Sequence, residues 1–358
     1  MKKIKEIKTA FISAGGTGGH ISPAVSITEK LISRGWQVVF FTLEKDLSYP
    51  DFDKLKKSKQ FELVSYPAPR FPSSIKNIMI FPGKLFRALG ILNQWAKVYP
   101  PKFALGLGGY PSFPLLFWAR KKQISYFMAE QNAVSGRITK LMSKKAKGVF
   151  LSFPVLSLRK NEYFTGNPIR NIFKTYKGRK RKIQKTPKVI LMIGGSQGAE
   201  NINQLYLEMI KDTYFSKIKL ILSTGINNYE KMKGKKRTND LMYSFIEDVP
   251  KALMNCDLIV SRAGSGSIFE ILWAKKPSIL LPYPYAVYNH QKYNALKLTE
   301  LGMAEIIDIR PFDPEKAKEK IKEIIQENNL ERITSNMQKK IFYKHPEEKI
   351  VSLLEKDS

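Results

Sequence analysis

One histidine stands where reaction chemistry would need an ionisable group. His20 closes the run Thr-Ala-Phe-Ile-Ser-Ala-Gly-Gly-Thr-Gly-Gly-His, residues 9–20, in which Gly15, Gly16, Gly18 and Gly19 surround Thr17. A short apolar run followed by glycines reads as a strand that turns into a helix. Glycines let the backbone come close to a ligand, and the helix N-terminus offers unpaired N–H groups with a positive dipole end. The loop therefore suits a phosphate or a sugar. A tight turn with no ligand is the bland alternative, but such a turn has no use for a histidine. An imidazole, with an ordinary pKa near 6.5, suits general acid–base work. The dinucleotide-binding fingerprint fits poorly: the glycine spacing differs, and no acidic residue ends the second strand.

A second group of residues offers a place for a diphosphate. Ser261-Arg-Ala-Gly-Ser-Gly-Ser-Ile-Phe-Glu270 runs from an apolar strand through small residues into a helix. Ser265, Gly266 and Ser267 at that helix start form an anion site, and Glu270 could accept two hydrogen bonds from a ribose diol. An ordinary first-turn acid favoured by the helix dipole would look the same. Gly194-Gly-Ser-Gln-Gly-Ala199 repeats the strand, glycine loop, helix device. Three more polar or glycine-rich stretches follow apolar strands: Gly106-Leu-Gly-Gly-Tyr-Pro-Ser-Phe-Pro, Glu130-Gln131-Asn132 and His290-Gln291. No Asp-x-Asp pair stands near a glycine loop, so no essential divalent cation and no cofactor are expected.

The elements that must position these residues alternate in type. Strands are expected at Thr9–Ser13, Gln37–Thr42, Phe61–Ser65, Phe103–Leu107, Ile124–Met128 and Lys147–Ser152, with a helix over Pro23–Arg34 ended by Gly35. After the turn-rich Asn161–Arg170 and the basic Lys174–Lys188, the alternation restarts. Its strands are Lys188–Ile193, Ile218–Ser223, Met242–Ile246, Asp257–Ser261, Pro277–Leu281 and Ala304–Asp308. Such alternation predicts an α/β protein of two doubly wound, Rossmann-like domains facing each other across a cleft, each with a glycine loop at the carboxyl end of its first strand. The expected domains are residues 1–166 and 167–340, and the helical, charged residues 341–358 are expected to pack back on the first.

Composition narrows the function classes. The 358 residues exceed one ordinary domain, and a 43% hydrophobic content fills full cores. Lys and Arg number 61 against 31 Asp and Glu, a net charge of +30 that implies an anionic partner surface. Cys256, the single cysteine, excludes a disulfide framework and a cysteine metal cluster. It precedes an apolar strand and reads as a buried structural thiol. The basic N-terminus leads into an apolar run only one strand long, so a signal peptide is not expected, and no apolar window reaches membrane-spanning length. Lys177–Lys185 and Lys231–Arg237 read as solvated loops. Nucleic acid is not an expected partner, because no base-stacking recognition motif accompanies the charge.

Taken together, Gly15–His20, Gly108-Gly-Tyr-Pro-Ser112, Glu130-Gln-Asn132, Thr165-Gly-Asn-Pro-Ile-Arg170, Gly194–Ala199 and Ser261–Ser267 with Glu270 resemble the MurG family. These are the N-acetylglucosaminyltransferases that convert lipid I to lipid II in peptidoglycan synthesis. The motifs fall in the family's order across nearly the whole chain. The resemblance implies an inverting glycosyltransferase of the GT-B fold, with an N-terminal acceptor-binding, membrane-facing domain and a C-terminal domain that holds UDP-N-acetylglucosamine. By that resemblance Arg170, Ser196, Ile246, Gln291 and Ser265–Glu270 would hold the nucleotide sugar. Glu270 would bind the ribose, Ser196 and the helix start at Ser265, Gly266 and Ser267 the diphosphate, and the Ile246 backbone the uracil. Thr17, Gly18, Gly19 and Asn132 would reach the sugar and the acceptor diphosphate, and His20 would be the general base. Two departures stand out: Ala129 occupies the place of a family histidine, and the loop Thr42-Leu-Glu-Lys-Asp-Leu-Ser-Tyr-Pro50 does not match the Gly- and Glu-containing loop usual in the family.

A lipid-linked acceptor implies a surface that meets the anionic cytoplasmic face of a bacterial inner membrane. The segment Ile75–Lys97 mixes Ile78, Met79, Ile80, Phe81, Phe86 and Trp95 with Lys84 and further basic residues, as an interfacial segment does. A core-packing helix with solvated lysines is the other reading. Two rival functions also stay open: another lipid-acceptor GT-B transferase, and a non-catalytic, membrane-associated protein that binds nucleotide sugars.

Overall fold

The computed structural model describes residues 7–71, 75–178, 186–195, 198–327, 329–339 and 342–357, without the side chains of 75–78 and 287. The sequence-predicted positions Ser196 and the side chain of Ile78 lie outside the described residues. The chain divides into two compact units, residues 1–170 with 342–358, and residues 171–341.

The first unit runs β1 (Thr9–Ser13), α1 (Gly18–Ser33), β2 (Gln37–Thr42), α2 (Phe52–Leu55), β3 (Phe61–Ser65), α3 (Ile75–Val98), β4 (Pro101–Gly106), α4 (Ser112–Lys121), β5 (Ser125–Glu130), α5 (Arg137–Met142), β6 (Gly148–Leu151) and β7 (Glu162–Phe164). The second runs α6 (Asn171–Thr175), β8 (Val189–Ile193), α7 (Glu200–Met209), β9 (Lys219–Ser223), α8 (Ile226–Met232), β10 (Leu241–Tyr243), α9 (Val249–Met254), β11 (Leu258–Ser261), α10 (Ser265–Ala274), β12 (Ser278–Leu280), α11 (His290–Glu300), β13 (Glu305–Ile306), α12 (Pro314–Gln326) and α13 (Asn329–Gln338). The chain ends with α14 (Pro346–Asp357), which belongs to the first unit.

Both sheets are parallel, with strand orders β3-β2-β1-β4-β5-β6-β7 and β10-β9-β8-β11-β12-β13. The two doubly wound Rossmann-like units expected from the alternation are therefore present. A parallel sheet covered on both faces needs apolar residues on both sides of each strand. Alternation along the strand delivers them: Ala10, Ile12 and Phe40 join one core, while Phe11 and Phe41 join the opposite one.

Three expectations are corrected. Glu162–Phe164, read as part of a turn-rich boundary, is β7 and pairs with Val149–Leu151. Three residues between turn formers are too short to show a period. Helix α1 starts at Gly18, ahead of the expected Pro23, so His20 lies in its first turn. Strand β10 stops at Tyr243, which leaves Ile246 in the loop beyond.

Helix α14 packs on α1 with Ile350, Val351 and Leu354 inside the first unit's core. Charges fasten its rim. Glu348 pairs with Lys30 and with Arg34 (3.0 Å), while Glu355 pairs with Arg34 and accepts from Trp36 Nε1 at 3.0 Å. Lys30 first, then Arg34, hold the Glu348 carboxyl below its ordinary value against an opposing desolvation. A depressed carboxylate contributes stability above its unfolded value and loses it as pH falls through the folded one. Glu348→Gln is therefore expected to lower the first unit's Tm by about 1–3 °C at neutral pH, a difference that closes on acidification. Calorimetry across pH checks this, and a gap that widens in acid would contradict it.

Candidate functional site

In an open parallel sheet, ligands bind beyond the carboxyl ends of the strands where the winding direction reverses. The first unit reverses between β1 and β4, the second between β8 and β11. The glycine loops noted in the sequence follow these four strands.

In the first unit, the loop after β1 carries Gly15–Gly19 and leads into α1 with Thr17 as its exposed N-cap residue. The loop after β2 clamps it. Gly16 N–H donates to Asp46 Oδ2 at 2.6 Å, and a Cβ on Gly15 would lie 2.9 Å from the same oxygen. A Cβ on Gly18 would lie 2.6 Å from the Tyr49 hydroxyl. Ser22 on α1 donates to Asp51 Oδ2 at 2.8 Å. The loop that departs from the family pattern thus braces the glycine loop through Asp46 and Tyr49.

The loop after β4 is pinned to the same strand end. Ser13 Oγ donates to the Pro111 carbonyl at 3.1 Å, and the buried Tyr66 hydroxyl donates to that carbonyl as well. Burial pushes the Tyr66 phenol far above its ordinary pKa, so it stays a donor. Gly108 and Gly109 adopt left-handed backbone, φ +64° and +65°, and their bare α-carbons face the His20 ring. A Cβ on Gly108 would sit 3.0 Å from His20 Cε1, and one on Gly109 3.4 Å from Cδ2. Glycine there is required by both the torsion and the approach.

Glu130, expected just after the fifth strand, is the last residue of β5; it is buried and organises the loop that follows. One carboxylate oxygen accepts from Asn132 N at 3.1 Å and Nδ2 at 3.3 Å, the other from Gly136 N at 2.9 Å and Thr139 Oγ1 at 2.6 Å. This fixes Asn132 at the loop's half-buried rim. The neighbouring Gln131 is fully buried and lies 2.9 Å from His20 Nδ1 through its Oε1. Loops after β1, β4 and β5 therefore converge on the imidazole.

The second unit is built the same way. Gly194, Gly195 and Gly198 shape the loop from β8 to α7, Gly195 and Gly198 with positive φ. After β11, Gly264 precedes α10 without any side-chain cap, so the first N–H groups of Ser265, Gly266 and Ser267 point outward from the helix start. Ser265 is buried, while Gly266, Ser267 and Glu270 are half-buried. Arg262 donates to the carbonyls of Leu281 and Pro282, both at 3.2 Å, and stacks on Tyr283 at 5.4 Å. Burial lowers its pKa and Tyr283 opposes that shift. Gln291 Oε1 accepts from Tyr283 N at 2.9 Å, and Asn294 Nδ2 donates to the Ala263 carbonyl at 3.2 Å. Helix α11 is thus fastened to the loop that starts α10, which brings Gln291 to the same strand-end region. Ile246 is half-buried beyond β10 on that edge, and Arg170 is the last residue of the first unit before α6.

Sequence reasoning missed Gln131, Asp46, Tyr49, Tyr66 and Asn294 as site builders. For Gln131 the signal was present, since it sits inside the Glu130–Asn132 motif; the other four act through contacts distant in sequence.

On α3, Met79 and Phe86 are 77% and 75% exposed, with Ile80 and Lys84 exposed beside them. Phe81 and Trp95 differ from that expectation of an outward face. Phe81 packs on Phe71 and Phe113 with ring centroids 5.9 and 6.1 Å away, and Trp95 stacks on Tyr99 at 5.9 Å. Among the described residues, no helix is long and apolar enough to cross a membrane.

Comparison with known proteins follows these two units. Residues 10–151 match the glycosyltransferase family 28 N-terminal domain and residues 189–350 the glycosyltransferase family 28 C-terminal domain. The chain is 32% identical over 350 residues, 93% of its length and 94% of the relative's, to a protein of Finegoldia magna. That relative is named UDP-N-acetylglucosamine--N-acetylmuramyl-(pentapeptide) pyrophosphoryl-undecaprenol N-acetylglucosamine transferase. A relative of the same name from Aquifex aeolicus is 33% identical over 347 residues, 95% of this chain and 97% of its own. In fold, the chain is similar to the crystal structure of Acinetobacter baumannii MurG, with TM-score 0.76, 24% identity and coverage of 98% and 99%. A UDP-N-acetylglucosamine 2-epimerase shares the fold at TM-score 0.67 and 13% identity, with coverage of 98% and 96%.

Proposed function

The chain belongs to the MurG family within glycosyltransferase family 28, and on that premise we propose that it moves N-acetylglucosamine from UDP-N-acetylglucosamine to the muramyl sugar of undecaprenyl-linked lipid I. The observation that carries this reading is coverage. Relatives of one named activity align over 93–95% of the chain. Every motif except Thr165–Arg170 also falls within the two family-matched ranges.

The acceptor hydroxyl attacks the anomeric carbon of the donor from the face opposite UDP. His20 takes the hydroxyl proton, the new glycosidic bond forms, and the bond to the β-phosphate breaks with inversion. The departing diphosphate gains charge, which the N–H groups of Ser265, Gly266 and Ser267 at the start of α10 stabilise. Ser196 adds a hydroxyl, Glu270 takes the ribose diol, the Ile246 backbone the uracil, and Gln291 and Arg170 complete the donor site. Thr17, Gly18, Gly19 and Asn132 line the acceptor and sugar side around His20. The test is transfer of labelled N-acetylglucosamine to a lipid I analogue, run in parallel with a chelator. Turnover that persists with chelator is expected; no turnover, or turnover restored only by Mg²⁺ or Mn²⁺, would overturn the reading or its metal-free form respectively.

The same reading places the chain peripherally on the cytoplasmic face of the inner membrane. Met79, Ile80 and Phe86 form the exposed apolar face of α3, with Lys84 among them. Basic residues near an anionic leaflet contribute on the order of 1 kcal/mol each. Met79→Ser with Phe86→Ser is expected to weaken cosedimentation with anionic vesicles by roughly 10-fold or more, since each buried side chain contributes about 1.5–3 kcal/mol, and to leave UDP affinity alone. Equal vesicle binding by wild type and double variant would remove α3 from the membrane contact.

A further inference from the structure

We propose that Gln131 is a positioning residue that fixes His20 in the Nδ1–H tautomer and so presents Nε2 as the proton-accepting nitrogen. The inference deepens the reading of His20 as base and rests on it for its catalytic consequence, but the tautomer itself can be read without any turnover.

The assignment follows from one buried amide with two fixed neighbours. Gln131 Nε2 donates to the Ala129 main-chain carbonyl at 3.2 Å, and that carbonyl can only accept. The amide's NH₂ must therefore face Ala129, which turns Oε1 toward His20 Nδ1, 2.9 Å away. An amide oxygen only accepts, so Nδ1 carries the proton. A neutral imidazole has one N–H, and the lone pair is left on Nε2. Gln131 has no freedom to reverse this: it is fully buried, and turning the amide over would set its oxygen against the Ala129 carbonyl.

The ring is held as well as the proton. Gly108 approaches so closely that a Cβ there would lie 2.9 Å from Gln131 Oε1 and 3.0 Å from His20 Cε1. Gly109 stands beside the other edge, where a Cβ would lie 3.5 Å from Nε2. Rotating the imidazole half a turn would put carbon Cδ2 opposite Gln131 Oε1 and lose the hydrogen bond. The loops after β1, β4 and β5 thus select one rotamer and one tautomer together. The acceptor that sets the amide is the main-chain oxygen of residue 129, so the device does not depend on the side chain there, Ala in this chain.

The chain has three histidines, His20, His290 and His345, so selective ¹⁵N-histidine labelling gives a spectrum that a His20→Gln variant assigns. Long-range ¹H–¹⁵N correlation of the wild type above the imidazole titration should show His20 as Nδ1–H. Gln131→Met, which keeps the volume and removes the acceptor, should return His20 to the Nε2–H form that dominates in free imidazole side chains. Its kcat should fall roughly 10–10²-fold with the KM for UDP-N-acetylglucosamine unchanged. Gln131→Glu keeps an acceptor opposite Nδ1 and adds a charge that favours imidazolium. It should keep the Nδ1–H form and move the acid limb of kcat/KM upward by about 1 pH unit or more. A wild-type His20 in the Nε2–H form, or a Gln131→Met variant still in the Nδ1–H form, overturns the assignment. The predicted tautomers with an unchanged Gln131→Met rate overturn the positioning role; if His20→Ala also keeps full rate, the base reading is what failed.

Discussion

Replacing His20 by Ala is expected to lower kcat for N-acetylglucosamine transfer about 10²–10⁴-fold, the usual worth of a positioned general base, while UDP binding stays unchanged. The expectation rests on where the side chain is held. His20 lies in the first turn of α1, directly behind Gly15–Gly19, with its ring fixed by Gln131 and flanked by Gly108 and Gly109. The loop after β4 brings left-handed, close backbone and the loop after β5 a buried amide to one imidazole, which a structural histidine would not need. Because the predicted donor contacts in the second unit lie on other elements, a binding titration with UDP separates loss of the base from loss of the fold. The pH profile adds a second readout. In wild type the rate falls on the acid side as the imidazole becomes protonated, and that limb should vanish in His20→Ala. An alanine variant that keeps the wild-type rate and acid limb would place the base elsewhere.

The second large effect is expected at Gly198. Gly198→Ala should destabilise the second unit by about 2–5 kcal/mol, combining roughly 1–2 for a left-handed backbone with about 1–3 for overpacking. That corresponds to a Tm lower by about 5–15 °C, with UDP affinity falling alongside. Gly198 has φ +74°, and a Cβ would lie 2.3 Å from the Thr224 carbonyl oxygen and 2.7 Å from Gly225 Cα. Both obstacles are main chain and cannot swing aside. The Thr224 carbonyl also accepts from Asn203 Nδ2 at 3.2 Å, so moving it breaks a buried hydrogen bond between α7 and the loop after β9. Gly234→Ala serves as the control: its φ is not positive and nothing lies within 4 Å of an added Cβ, so a change within about 0.5 kcal/mol is expected. If Gly198→Ala melts and binds UDP like that control, the loop tolerates a side chain and its tight geometry is not required.

The repeated pattern of apolar strand, glycine loop and helix sufficed for the two parallel, doubly wound units, because a strand buried on both faces is a continuous apolar run that composition alone reveals. It also marked the chemical residues, since glycines followed by His20, or by Ser265–Ser267, have local reasons to be there. Short elements escaped it: β7 has only Glu162–Phe164 and owes its existence to pairing with Val149–Leu151. Pairing is a tertiary fact. So is the exposure of Met79 and Phe86 beside the inward packing of Phe81 and Trp95, which the mixed composition of α3 does not distinguish.

The site shows the same division. The sequence by itself determined that a histidine sits at the mouth of α1. Only the tertiary structure decided which nitrogen of that histidine carries the proton, because the deciding groups, Gln131 and the Ala129 carbonyl, come from a strand end more than a hundred residues away. Hydrogen-bond partnership depends on proximity and direction across the sheet, and residue spacing along the chain carries neither.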